Sequence, residues 1–457
     1  MDPGNFRFGG GPTESQFHLL TAALLAMACI LVTALPRRHV PVPFFLASLL
    51  IPFGEVLVVG GVHFPVFRLL LVVVWIRLLG SGILAQRFQL NRIDWMVIWW
   101  SLACIVTFTF LYQSGDALVN RIGFVYGTLG VYFFTRLCVQ DSEDVQRIIK
   151  LFSLICAFIG VFMFLEQETG RNVFSVFGGV PEITPVREGR IRSQGPFGHP
   201  IIAGTFGATL LPLFVSLWWV KGAKRHAVLG ILASGVTSIT SASATPLMAI
   251  GAAILALFFW PIRKQMRLVR WALVLVLITL HLVMKAPVWS LIARVDVIGG
   301  SSSDHRYELV NRTILHFWDW WLCGANNTES WGYLMHDTAN TFVDSAITQG
   351  FAGLALFIMI LARCFGFIGN ARKAAEGDSE RERWYWAWGT WLFGNVVAFF
   401  GIVYFDQTMV YWYAFLGMVS AIVVSHEAEP SSSSTLSEPT LVAEQLDDRF
   451  SWRSSDV

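Results

Sequence analysis

From about residue 17 to residue 425 the chain is a succession of apolar runs, most of them near twenty residues long, separated by short connections. As a helix, twenty residues at about 1.5 Å each span the ~30 Å hydrocarbon core of a bilayer. Lipid offers the backbone no hydrogen-bond partners, so a chain immersed in it forms either helices or a closed barrel. Barrel strands alternate apolar and polar residues over about ten positions, and the continuous runs here select helices. Charged residues make up only 14% of the chain, against about 25% in a soluble domain. The expected fold is therefore all-α, a polytopic membrane protein.

The runs fall at 17–35, 40–60, 62–80, 95–112, 117–138, 148–166, 200–220, 227–241, 245–260, 268–285, 340–368, 384–404 and 407–425. That pattern predicts twelve or thirteen transmembrane helices, because the turns inside 227–260 and 384–425 are very short. The chain divides into a polar N-terminal stretch (1–16), the membrane domain (17–425) and a Ser- and acid-rich tail (426–457), expected to be disordered and cytoplasmic. No cleavable signal sequence is expected. The six cysteines have no metal-ligand spacing and read as small core residues.

Lys and Arg set the orientation. Alternate connections hold most of the chain's 33 basic residues, among them Arg37, Arg77, Arg136, Lys150, Lys224, Arg263, Arg363 and Arg372. Those connections are expected in the cytoplasm, which leaves two long loops, 167–199 and 286–339, outside. Both outer loops are nevertheless rich in arginine: Arg171, Arg187, Arg190 and Arg192 in the first, Arg294, Arg306 and Arg312 in the second. Long loops cross a membrane whatever their charge, so these side chains could be merely solvated. The preference for Arg over Lys favours a ligand, because the planar guanidinium grips phosphate or carboxylate at two points.

The first loop ends in Arg192-Ser193-Gln194-Gly195-Pro196-Phe197-Gly198-His199-Pro200, with Pro200 suited to a first helical turn. A helix start beside arginines can hold an anion; these residues taken alone favour a plain loop-to-helix entry with a Gly-Pro turn. In the second loop, residues 305–322 show helical period, with Val310, Thr313, Ile314, Phe317, Trp320 and Trp321 on one face and His305, Glu308, Arg312, His316 and Asp319 on the other. Such a helix lies in the interface or caps a cavity. His336-Asp337-Thr338-Ala339-Asn340 then opens the next run. A neutral imidazole with a pKa near ~6.5 can accept a proton, and a neighbouring carboxylate can orient it. Glu55, Glu166 and Asp344 sit near the ends of spans, where ionisable groups are functional candidates. The small, hydroxyl-rich stretch 234–246 suits either close helix packing or a broken helix facing a cavity.

Taken together, these motifs resemble the O-antigen ligase and exopolysaccharide polymerase family of bacterial membrane enzymes. The resemblance rests on the 192–200 entry sequence, on His336 with Asn340-Thr341-Phe342, and on Gly350-Phe351-Ala352-Gly353-Leu354. It implies a metal-independent glycosyltransferase of the inner (cytoplasmic) membrane, with no cofactor, working on the periplasmic face. The donor would be a glycan on undecaprenyl diphosphate. The acceptor saccharide would be another lipid-linked repeat unit or lipid A–core. Membrane lipid is an implied partner and nucleic acid is not. Many ligases carry Ser-Arg-Gly where this chain has Ser241-Ala242-Ser243-Ala244-Thr245, a departure that favours a polymerase. In the implied roles, Arg192, Arg306, Arg294 and His199 bind the diphosphate, His336 is the general base with Asp337, and Asn340 and Arg312 support them. The alternative is a transporter or flippase that binds the same lipid-linked saccharide and cleaves nothing.

Overall fold

The computed structural model of the protein describes residues 15–82, 89–291 and 302–428. Each of the thirteen apolar stretches carries a helix. The first ten are α1 (Leu19–Ala34), α2 (Pro41–Leu50), α3 (Val66–Gly80), α4 (Arg92–Tyr112), α5 (Gly115–Cys138), α6 (Ser142–Thr169), α7 (Pro200–Ser216), α8 (Lys224–Thr240), α9 (Ala244–Phe258) and α10 (Met266–Val283). The second long loop adds α11 (Ser302–Leu315) and the single turn α12 (Phe317–Trp320), and the chain continues with α13 (Thr341–Ala374), α14 (Ser379–Phe399) and α15 (Gln407–Ala428). Six helical segments among the described residues are long and apolar enough to cross a membrane: those at 92–112, 115–138, 142–169, 200–219, 260–283 and 341–374. The fold is that of an all-α membrane protein.

Helix boundaries follow local chemistry. Asn91 and Asp94 form a reciprocal capping box at the start of α4, Asp141 caps α6, and Asp378 caps α14. Gly170 ends α6 in the left-handed region.

One expected span needs correction. The 40–60 run is helical only to Leu50. Pro52 lies just beyond that end, and Val56–Val59 then pairs as β1 with β2 (Val62–Pro65). Gly60 and Gly61, with φ of 58° and 82°, supply the two-residue turn that suits a hairpin, and β-branched valines prefer the strand. The ten residues of α2 reach about 15 Å, half the apolar thickness of a bilayer.

The two ends of the bundle differ in chemistry. At one end, which we call the basic end, buried ion pairs tie helices together: Arg136 with Asp94 at 3.7 Å, Arg37 with Asp144 at 3.6 Å, and Arg263 and Arg372 on the shared carboxylate of Glu382 at 2.8 and 2.6 Å. The other end, the loop end, carries residues 170–199, 241–243, 284–291, 302–340 and 400–406. Between them α7 is the most enclosed of the six long segments and α10 the least, with none of its residues buried. In lipid, helices associate through close packing rather than through a hydrophobic drive. Gly204 and Gly207 of α7 supply that closeness, because a Cβ on either would collide with Ser241 or Thr237.

Helix α13 is broken at Gly350, whose φ of 65° and ψ of −171° suit only glycine. The break frees the Ile347 carbonyl, which accepts from the Ala325 N–H at 2.8 Å, and the Phe351 N–H, which donates to the Trp321 carbonyl at 2.8 Å. The second loop therefore inserts residues 321–325 against the break and satisfies the backbone there, as a discontinuous helix in lipid requires.

Candidate functional site

Five segments meet at the loop end: 192–199, 241–245, 305–306, 336–341 and 400–407. The first is shaped from below by Glu166. Its buried carboxylate accepts from the N–H groups of Gln194 (3.2 Å) and Gly195 (2.8 Å) and from the Thr184 hydroxyl (3.0 Å). Gly195 takes a positive φ of 56° to make that turn. This acid, singled out from sequence as a functional candidate, is thus a clamp on the loop that carries Arg192.

Arg171, Arg187 and Arg190 of the first loop are exposed, and Arg192 alone is buried. Its guanidinium donates to the Ser243 hydroxyl at 2.7 Å, while its Nε has no partner among the described residues. In the second loop, Arg306 is buried on the face of α11 that also carries Leu309 and Thr313, and it donates to the Thr245 hydroxyl at 3.1 Å. Two arginines from separate loops therefore reach hydroxyls two residues apart. Those hydroxyls lie at the join of α8 and α9, where Ala242 takes the left-handed conformation and lets the chain turn. The stretch 234–246 is thus both a packing surface, through Thr237 and Ser241, and a break that presents Ser243 and Thr245 to the arginines. The inward face of α11–α12 differs from expectation at two positions: Ile314 and Trp321 are exposed, while Leu309 and Trp320 pack beneath with Trp331 and Val343.

His199 caps α7, its Nδ1 accepting from the Ile201 N–H at 3.2 Å. Burial first, then the positive charge of Arg192, pulls its pKa down to about 4, although Asp337 opposes the shift. At neutral pH the ring is uncharged, its Nδ1 is occupied by the cap, and its Nε2 carries the proton as a donor.

His336 and Asp337 are both exposed. Neither side chain has a hydrogen-bond partner among the described residues. The loop that bears them is held by its backbone: the Asp337 carbonyl contacts His305 Nε2 at 3.2 Å. Asn340 does not face His336. It is buried, its Oδ1 caps α13 through Phe342 and Val343, and its amide reaches the Phe400 carbonyl at 3.5 Å. Arg312 pairs with Glu308 at 3.0 Å within α11. Arg294 and the tail beyond residue 428 lie outside the described residues.

One further group belongs to this place. Asp406 ends the α14–α15 connection with a left-handed φ of 51°, and its Oδ2 lies so close over Gly198 that a Cβ there would sit 2.6 Å away. Gln407 fixes that approach by donating to the Pro196 carbonyl at 2.8 Å. The Asp406 carboxyl has no hydrogen bond or ion pair among the described residues, and burial raises its pKa to about 6. A carboxyl with that pKa can take a proton at neutral pH. Sequence reasoning passed over it; the available signal was a lone acid between two apolar runs, in a chain with few charges.

Compared with known proteins, the chain matches no family model and no curated protein sequence.

Proposed function

We propose that the protein is an integral membrane glycosyltransferase. It would transfer glycans carried on undecaprenyl diphosphate to a saccharide acceptor at the periplasmic face of a bacterial inner membrane, as a polysaccharide polymerase in preference to a ligase. The observation that carries this reading is the convergence of Arg192 and Arg306 on Ser243 and Thr245. The Ser243 hydroxyl fixes Arg192 in place without neutralising it, so its charge remains available to a diphosphate, and Arg306 is seated beside it on Thr245. On this reading the helices of the thirteen apolar runs make twelve or thirteen membrane crossings, and the loop end faces the periplasm.

In the reaction, Arg192 and Arg306, with Arg294, bind the diphosphate oxygens and stabilise the charge that grows on them as the glycosidic C–O bond breaks. His199 donates a hydrogen bond from Nε2. The acceptor hydroxyl attacks the anomeric carbon from the opposite face and loses its proton to a base, in one inverting displacement. Two groups compete for that base: His336, in an exposed loop, and Asp406, set against Gly198 with a pKa near 6. Helix α10, exposed on all sides and directly preceding the second loop, leaves a flank through which a lipid-linked donor can reach the arginines from the bilayer.

Alanine at Arg306 is expected to abolish polymer in cells while the protein still reaches the membrane. Alanine at His336 separates the two bases: loss of polymer assigns the proton to His336, and retention assigns it to Asp406. Normal polymer from the Arg306 variant ends the assignment. The transporter reading draws on the break at Gly350, since discontinuous helices are common in transporters. It predicts movement of a labelled lipid-linked saccharide across vesicles with no change in its glycan.

A further inference from the structure

A polar cavity lies at the basic end, far along α13 from the arginines just described. It encloses about 580 Å³ between the start of α4 and the last third of α13. Its polar wall is Arg92, Arg363 and Asn370. Unlike Arg136, Arg263 and Arg372 at the same end, neither Arg92 nor Arg363 has an ion pair or hydrogen bond among the described residues. The apolar part of the lining is Leu90, Trp95 and Phe367.

What lies beyond the cavity identifies its occupant. Trp95 is 48% exposed and is followed along the same face of α4 by Trp99, Leu102 and Val106, each about half exposed. The spacing of four, three and four residues keeps them in one stripe. A cationic pocket thus opens onto an apolar track along a helix long enough to cross a membrane. A tryptophan sits at the boundary, where its amphipathic ring is favoured. A soluble anion would use the pocket and leave the track bare. A phospholipid uses both.

We propose that this cavity binds the phosphate headgroup of an anionic phospholipid, gripped between the Arg92 and Arg363 guanidiniums, with its acyl chains along Trp95, Trp99 and Leu102. Basic pockets between membrane helices recognise anionic headgroups in this way. Asn91, at the same helix start, is not available to the ligand, because its side chain caps α4 and donates to Ser420.

The test is native mass spectrometry of the full chain released from detergent after equilibration with equimolar phosphatidylglycerol and phosphatidylcholine. Two surface arginines favour an anionic headgroup by about thirtyfold. The wild type should retain phosphatidylglycerol over phosphatidylcholine by that order, and R92Q/R363Q should retain both equally. A control with the same loss of charge at exposed positions of this end, K221Q/K373Q, should keep the preference. Gly366→Leu tests the cavity without touching charge. A Cβ there meets nothing within 4 Å, so the backbone accepts a side chain, and leucine should displace the lipid. Three results would each overturn the proposal: no preference in the wild type, an undiminished preference in R92Q/R363Q or Gly366→Leu, or complete displacement of the lipid by excess inorganic phosphate.

Discussion

The two ends of this bundle use arginine in opposite ways. At the basic end, Arg263 and Arg372 share the buried carboxylate of Glu382, and Arg136 lies against Asp94. At the loop end, Arg192 is buried as deeply, yet it meets a serine hydroxyl and keeps its Nε without a partner among the described residues. A buried cation paired with a carboxylate is finished structure. A buried cation held by a hydroxyl retains its charge and costs desolvation that a bound anion would offset. The difference separates arginines neutralised within the fold from Arg192, whose charge the proposed function assigns to a bound anion.

If that distinction is right, the largest effect should follow from breaking a finished pair. Glu382→Ala leaves two arginines facing each other without their counter-charge and should cost about 3–5 kcal/mol. Arg192→Ala removes one hydrogen bond and should cost about 1 kcal/mol. Denaturant or thermal unfolding in detergent measures both, and equal losses would erase the contrast between the ends.

Asp406→Asn sharpens the functional half. If Asp406 is the base, transfer should fall by about 10²-fold or more. Stability should move the other way, and with pH. Burial raises the Asp406 pKa to about 6, so the folded state favours the protonated form, and that stabilising contribution is lost as pH rises through 6. Asn carries no such loss. The stability advantage of the variant over wild type should therefore grow by about 2 kcal/mol between pH 4 and pH 8, read as the shift in unfolding midpoint. A constant difference would show that Asp406 is solvated.

The smallest effect is expected at Ser243. Without its hydroxyl Arg192 stays charged but loses its anchor, so Ser243→Ala should reduce turnover about tenfold and leave stability within about 1 kcal/mol. A loss as deep as that of Arg192→Ala would mean that the hydroxyl itself contacts substrate.

Much of this arrangement was legible in the sequence, because its signals are local. Apolar run length placed the helices, and arginine in place of lysine drew attention to the outer loops, within which the family resemblance singled out Arg192 and Arg306. The Gly60-Gly61 turn between valine-rich segments was equally local, yet its flanks lay in apolar stretches and read as the end of one span and the start of the next. What could not be read is what joins distant segments. Arg192 and Ser243 are 51 residues apart, Arg306 and Thr245 are 61 apart, and the bond that seats Asp406 over Gly198 links Gln407 to Pro196 across 211 residues. No periodicity encodes such pairings. Asn340 shows the converse: adjacency suggested that it orients His336, but its side chain was already committed to capping α13.

The central claim of the proposed function is that Arg192 and Arg306 at the loop end stabilise a departing lipid diphosphate. Its most direct test is purified protein in liposomes with an undecaprenyl-diphosphate-linked saccharide and a chelator, scored for released undecaprenyl diphosphate. Release by the wild type, lost in Arg192→Ala and Arg306→Ala, is the predicted result. Failure of folded wild-type protein to release it, or undiminished release from Arg306→Ala, would contradict the account.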